Sequence, residues 1–386
     1  MNKKYIRWQI KNWLPMFFII LFFLGIIFIL TMMNIPFGRG ANNKEDLSAG
    51  LLSFSIPLFI VSLILPLAVY SDQVRENQAD AFNQTPFKGN GLRKIRIFLA
   101  LIIFLIAATL VFWFAILVFS IRQMTAVSNE TVTYVRYNYQ YYLCAYLFLI
   151  VEAALSYFTS CFFVSLGNTV INQVILLIGG EVILGFFLQF IIMYIGSFAK
   201  LPADFKDMSY YSFYLDCNFL SPLLLAQSYF DSLITTGAVS VLESTKFTYL
   251  VTSMVIFNVA GIASLVYLLL VRDPSGEYSG KAGPRNKFIP YIIHLSFFFG
   301  INLFVSQLLF FITSVFGFTQ FLVSFLMSGL GYYLVLALFY KTFRISKKEW
   351  TTMLVVLGLC LILFSIRNGV VAPRNKADGV PVFINF

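Results

Sequence analysis

Nine apolar runs, at about 15–33, 49–70, 95–121, 141–166, 170–197, 247–271, 288–315, 318–340 and 350–366, divide this chain. Each approaches the roughly 20 residues that a helix needs to cross the hydrocarbon of a bilayer. Lipid offers no water to backbone N–H and C=O groups, so runs of this length fold as helices that satisfy those groups internally. The expected fold class is an all-α integral membrane protein with about nine transmembrane helices. Composition agrees: of 386 residues 59% are hydrophobic and 11% charged, against about 25% charged in a soluble domain. The 45 Phe and 21 Tyr suit lipid-facing helices with aromatic belts. No stretch is left over for a soluble domain of normal size.

The formal net charge of +10 would raise the question of nucleic acid in a soluble protein. Its placement answers differently. With the N-terminus inside and the runs alternating, seventeen of the 27 Lys and Arg fall in the inner segments, at 3–11, 71–96, 272–287 and 341–349. Those inner segments hold six acids, so they account for the whole excess as a positive-inside signature. The expected location is a cell membrane, crossed many times, with the N-terminus cytoplasmic and the C-terminus extracellular. Membrane lipid is the expected surrounding, and nucleic acid is not an expected partner.

Residues 1–14 read as an interfacial amphipathic helix, with Ile6, Ile10 and Trp13 at i, i+4 and i+7 and Lys4, Arg7 and Lys11 on another face. The run from Pro15 to Met33 is too long for a signal-peptide core and lacks a small-residue cleavage site, so it reads as a retained anchor. Residues 15–271 form a six-helix core. Pro57 and Pro66 are expected to bend its second helix, and Gly167-Asn168-Thr169 to make a tight inner turn between the fourth and fifth. An outer segment, 198–246, is rich in Tyr and Ser, and Phe219 to Leu223 within it is apolar enough to dip into the membrane. Three further spans occupy 272–366, and 367–386 forms an extracellular tail.

The most informative polar stretch is the island 71–96, SDQVRENQADAFNQTPFKGNGLRKIR. A bare connection between helices needs only a few residues, so an island of this length is expected to fold. Asp72 and Asp80 come early and Lys88, Arg93 and Lys94 late, the order a short helix dipole favours, and Pro86 ends it. Phe82 and Phe87 have two possible seats: among lipid headgroups, or in a groove of a soluble partner.

At Asp80, Phe82, Pro86, Phe87 and Lys88 this island resembles the cytoplasmic coupling segment of ABC-transporter permeases of the type-two exporter class. The Gly-Asn-Thr turn at 167–169, Ser221-Pro222 in the outer segment and the spacing of Glu277 and Gly280 after Arg272 are also similar to that family. The resemblance implies that Asp80 to Lys88 forms a coupling helix contacting an ATPase. It implies as partners two ABC ATPase subunits and a second permease subunit, the same or related. ATP and Mg would be bound by the ATPases, with no cofactor in this chain and no catalytic residue. Members of this branch often continue into an extracellular domain near Arg367, so the chain reads as a short member or a truncated one.

The residues themselves offer little chemistry. Gly276 to Lys281 is not a phosphate loop, because three residues separate Gly276 from Gly280 where four are needed, and Ala282 follows Lys281 in place of Ser or Thr. One histidine, His294, makes a zinc site improbable, and it reads as an interfacial or packing residue. The four cysteines show no metal or redox spacing.

Glu152 and Glu181 differ, because each lies near the middle of an apolar run, where an ionised carboxylate costs about 2.5 kcal/mol or more. Neither has a Lys or Arg partner within the spans. Each is expected to line a wet translocation path, to sit at a subunit interface, or to be a protonated acid bonded to a neighbour such as Asn258 or Gln189. Gly179-Gly180 before Glu181 favours close helix packing.

The expected function is that of the transmembrane permease subunit of an ATP-driven exporter, with hydrolysis in a separate chain. Two alternatives are a polytopic membrane enzyme acting on lipid-linked substrate, with its site in 198–246, and a proton-coupled secondary transporter using Glu152 and Glu181. The first lacks a histidine or arginine in that segment. The second lacks a visible inverted repeat.

Overall fold

The computed structural model describes residues 3–34, 43–71, 89–127, 139–183, 245–270, 301 and 318–344, with scattered positions from 346 to 362. The described residues are all-helical. They form α1 (Lys3–Asn34), α2 (Asn43–Val69), α3 (Gly89–Val127), α4 (Tyr139–Ser165), α5 (Val170–Ile178), α6 (Thr245–Leu270) and α7 (Phe318–Tyr340), with a π-helical turn at Gly179–Ile183. Arg7–Asn34 in α1, Arg93–Arg122 in α3 and Ala145–Ser165 in α4 are long and apolar enough to cross a membrane. Shorter apolar helical stretches follow at Phe54–Val69, Val170–Glu181, Phe257–Leu270 and Phe325–Tyr340. The coupling residues Asp80, Phe82, Pro86, Phe87 and Lys88, along with Gln189, His294 and most of 198–246, lie outside the described residues.

These helices turn large apolar side chains both inward and outward. Along α1, Leu24, Phe28 and Met32 are buried, while Phe18, Ile19 and Phe22 face outward. A helix that is hydrophobic all round belongs in a large core or in lipid, which marks this as a membrane-embedded protein.

The chain forms two compact units. The first joins Met1–Ser165 to Phe219–Glu277 and contains α1 to α4 and α6. Its side-chain contacts define helix directions. Phe28 of α1, Phe54 of α2 and Phe112 of α3 meet at centroid distances of 4.6 to 5.9 Å, and Tyr146 of α4 joins them at 5.4 Å from Phe112. Arg122, near the end of α3, donates to the Met32 carbonyl near the end of α1 at 3.1 Å, so these two helices run parallel. Arg93, near the start of α3, lies 5.8 Å from the Tyr70 ring just after α2, which runs the other way. Lys94 donates to the Leu269 carbonyl at the end of α6.

Basic residues early in α3 oppose its own dipole. Those at 93 and 94 sit instead at the C-terminal ends of α2 and α6, where exposed carbonyls and the negative pole favour a cation.

Residues 3–14 continue into the first span without a break, through Pro15. Their buried face is Gln9 and Trp13, joined by a 3.2 Å hydrogen bond, while Trp8 and Ile10 are exposed. The stripe continues to Ile20 and Leu24, so this part of α1 packs on the same face as its span. Likewise α2 runs through Pro57 and Pro66, and the Tyr70 amide closes its last turn on the Pro66 carbonyl at 3.0 Å.

The second unit joins Leu166–Asn218 to Tyr278–Phe386 and contains α5, the π turn and α7. Thr169 caps α5: its backbone is extended, and its hydroxyl accepts from the Asn172 amide at 3.3 Å. Only glycine fits at 167, where an added Cβ would stand 2.7 Å from the Gln173 backbone nitrogen.

Candidate functional site

In the first unit, helix geometry brings Glu152 and Asn258 together at mid-depth. Glu152 is the central residue of α4, Tyr139–Ser165, and Asn258 lies near the centre of α6, Thr245–Leu270. At 1.5 Å per residue both stand about 20 Å from the helix ends. Asn258 Nδ2 donates to Glu152 Oε1 at 2.9 Å. Glu152 is only 4% exposed.

Close backbone approach makes this possible. On α6, one turn past Asn258, Gly261 lies against Leu155 of α4, and a Cβ there would come within 2.8 Å of the Leu155 Cβ. Further along, Phe162 and Tyr267 meet edge to face at 4.9 Å, so α4 and α6 stay in parallel register.

Glu152 begins a polar stripe. Ser156, Thr159 and Ser160 follow at i+4, i+7 and i+8, all buried, which places them on one face of α4. Ser156 meets Ser62 of α2 with oxygens 2.9 Å apart. The Ser62 hydroxyl donates to the Phe59 carbonyl at 2.7 Å. A hydroxyl has one proton, so Ser156 is the donor between them. Beyond the stripe, Tyr157 donates to the Ile97 carbonyl at 3.0 Å, tying α4 to α3.

The residual hydrogen-bonding capacity around Glu152 is one-sided. Asn258 Oδ1 is buried with no partner, and the carboxylate accepts the one bond from Asn258. The unmet atom is an acceptor. Arg93, Lys94 and Arg122 lie toward the ends of α3, at the carbonyls and ring described above.

The second unit holds its own buried polar residues. Glu181 is fully buried in the π turn that opens with Gly179-Gly180. On α5, Asn172 and Gln173 are buried within an apolar sequence, and Asn172 Nδ2, Asn172 Oδ1 and Gln173 Nε2 have no partner. Asn172 and Gln173 are not among the site residues expected from the sequence, where Asn258 and Gln189 are the neutral polar candidates, although Asn-Gln inside VINQVILLI stands out as polar residues in an apolar run. The Ser62–Ser156 pair had no such signal, since serine is common in membrane helices.

Among the described residues no group of three or more His, Cys, Asp or Glu could hold a metal ion. No family model matches the chain, and no curated protein or solved structure matches it.

Proposed function

We propose that this chain is the transmembrane permease subunit of an ATP-driven exporter in a bacterial cell membrane, working with two ATPase subunits and a second permease subunit. The observation that carries the proposal is the seat of the polar island. Its flanking helices, α2 ending at Val69 and α3 beginning at Gly89, meet at the end where Arg93 and Lys94 lie against the C-terminal ends of α2 and α6. By the positive-inside rule this basic end faces the cytoplasm, where an ATPase would meet it.

A further observation supports a multi-span bundle. Parallel neighbours such as α4 and α6 cannot be joined by a hairpin, and the fifth apolar run, 170–197, is long enough to return the chain between them. In this reading ATP-driven closure of the ATPases pushes on Asp80 to Lys88, and the bundle opens outward. ATP and Mg belong to the partner, and nothing in this chain is catalytic.

The test is assembly. Full burial of a Phe side chain in a groove contributes about 1.5–3 kcal/mol, and about 1.4 kcal/mol is one decade in affinity. Phe82→Ala or Phe87→Ala is therefore expected to lower ATPase co-purification tenfold or more while membrane insertion is kept. Asp80→Ala is expected to act more weakly, because an exposed charge contributes under about 1 kcal/mol. Undiminished ATPase recovery with the double Phe82→Ala, Phe87→Ala variant would remove the coupling role.

A proton-coupled secondary transporter is the second reading, favoured by the mid-depth position of Glu152. Transport driven by a proton gradient without ATP would select it.

A further inference from the structure

We infer that Glu152 and Asn258 form a binding site for a primary ammonium group, the polar head of the transported substrate. The inference rests on the permease reading for its transport role, but the site is defined by geometry alone.

What Asn258 Oδ1 lacks is a donor. Asn258 gives one of its two Nδ2 N–H groups to Glu152 Oε1 at 2.9 Å, and its Oδ1 is buried without a partner. A buried carboxylate with one neutral donor, beside an orphaned carboxamide oxygen, is expensive in a low-dielectric interior. An ammonium carries three N–H donors and one positive charge. It would donate to Asn258 Oδ1 and to the Glu152 carboxylate together while balancing the carboxylate's charge.

Other occupants fit less well. Among the described residues Glu152 belongs to no group of three or more His, Cys, Asp or Glu, so a divalent metal lacks ligands. An anion would be set against the Glu152 carboxylate and the orphaned Asn258 oxygen. Position also suits transport: a buried carboxylate at the bilayer midplane is where transporters place substrate and ion sites. A purely structural pair is not expected to leave an orphaned acceptor, since an aliphatic contact would pack α4 on α6 without that penalty.

The experiment uses the full chain in lipid nanodiscs, without ATPases, titrated with n-hexylammonium. Hexanol and hexanoate serve as neutral and anionic probes of equal chain length. Saturable binding of hexylammonium at one site per chain is expected, with only unsaturable partitioning of the other two. Glu152→Gln, which keeps an oxygen for Asn258 and hence the helix contact, is expected to weaken binding at least tenfold at unchanged thermal stability. Glu152→Asp, which keeps the charge, is expected to retain saturable binding.

Equal binding by wild type and Glu152→Gln would overturn the proposal, as would equal saturable binding of hexanol. So would a protonated carboxyl band in the infrared spectrum that is lost in Glu152→Gln and unaffected by hexylammonium, because the proton alone would then be the missing donor. ATPase co-purification is scored separately on the same preparations. Intact co-purification without ammonium binding refutes this site and spares the permease, and the reverse refutes the permease and spares the site.

Discussion

Gly261 of α6 faces Leu155 of α4 so closely that a Cβ at 261 would lie 2.8 Å from the Leu155 Cβ and 3.3 Å from its Cα. Those atoms are fixed to the helix backbone and cannot swing aside. Gly261→Ala is expected to force α4 and α6 apart and to destabilise the chain by about 1–3 kcal/mol, the usual range for overpacking. Gly329→Ala on α7, where nothing lies within 4 Å of the added Cβ, is expected to leave stability unchanged or slightly raised. Thermal unfolding in detergent, followed by circular dichroism, compares the two. Equal melting temperatures would contradict the close approach.

Ser62 and Ser156 link α2 to α4 through one hydroxyl pair at 2.9 Å. Hydrogen bonds between membrane helices average about 0.6 kcal/mol and reach about 1.7 kcal/mol in double-mutant cycles. A cycle of Ser62→Ala, Ser156→Ala and the double variant is expected to return a coupling energy in that range. A coupling indistinguishable from zero would mean that the hydroxyls do not bond.

Thr169 closes the first turn of α5 by accepting from the Asn172 amide. Removing an N-cap hydroxyl costs about 0.5–2 kcal/mol. Thr169→Ala is expected to lower stability by that amount, and Thr169→Ser to restore most of it. A Thr169→Ser variant as unstable as Thr169→Ala would assign the loss to packing of the Thr169 methyl group instead of the cap.

Sidedness follows from the basic end of the bundle. In a chain with Cys217 replaced by serine, a membrane-impermeant thiol reagent applied to intact cells is expected to modify Glu45→Cys and Lys376→Cys. Asn90→Cys and Lys281→Cys are expected to react only after lysis. Labelling of Asn90→Cys in intact cells would invert the topology.

Much of the architecture was legible in the residues. The runs at 141–166, 247–271 and 318–340 correspond to α4 (Tyr139–Ser165), α6 (Thr245–Leu270) and α7 (Phe318–Tyr340) within two residues at each end. Apolar length determines such helices almost by itself in lipid, because no other backbone arrangement satisfies its polar groups. The helices at the basic and outer margins ran further. α2 begins at Asn43 and α3 at Gly89, each ahead of its apolar run, since a helix continues into water wherever caps and neighbouring helices support it and hydropathy records only the lipid boundary.

Glu152 and Asn258 mark the other limit. That a mid-span carboxylate needs a partner was evident from the cost of charge in hydrocarbon, and Asn258 was one of two neighbours that suited it. Sequence alone determined the helical class, the membrane setting, the basic end and the need for that partner, because each follows from how one segment meets its solvent. The tertiary structure decided which partner it is, that Gln9 and Trp13 face inward while Ile10 does not, and that Ser62 meets Ser156. Those outcomes depend on how parallel and antiparallel helices rotate and approach one another, here through a glycine at 261. Close contacts between segments far apart in the chain leave no periodic signature along it.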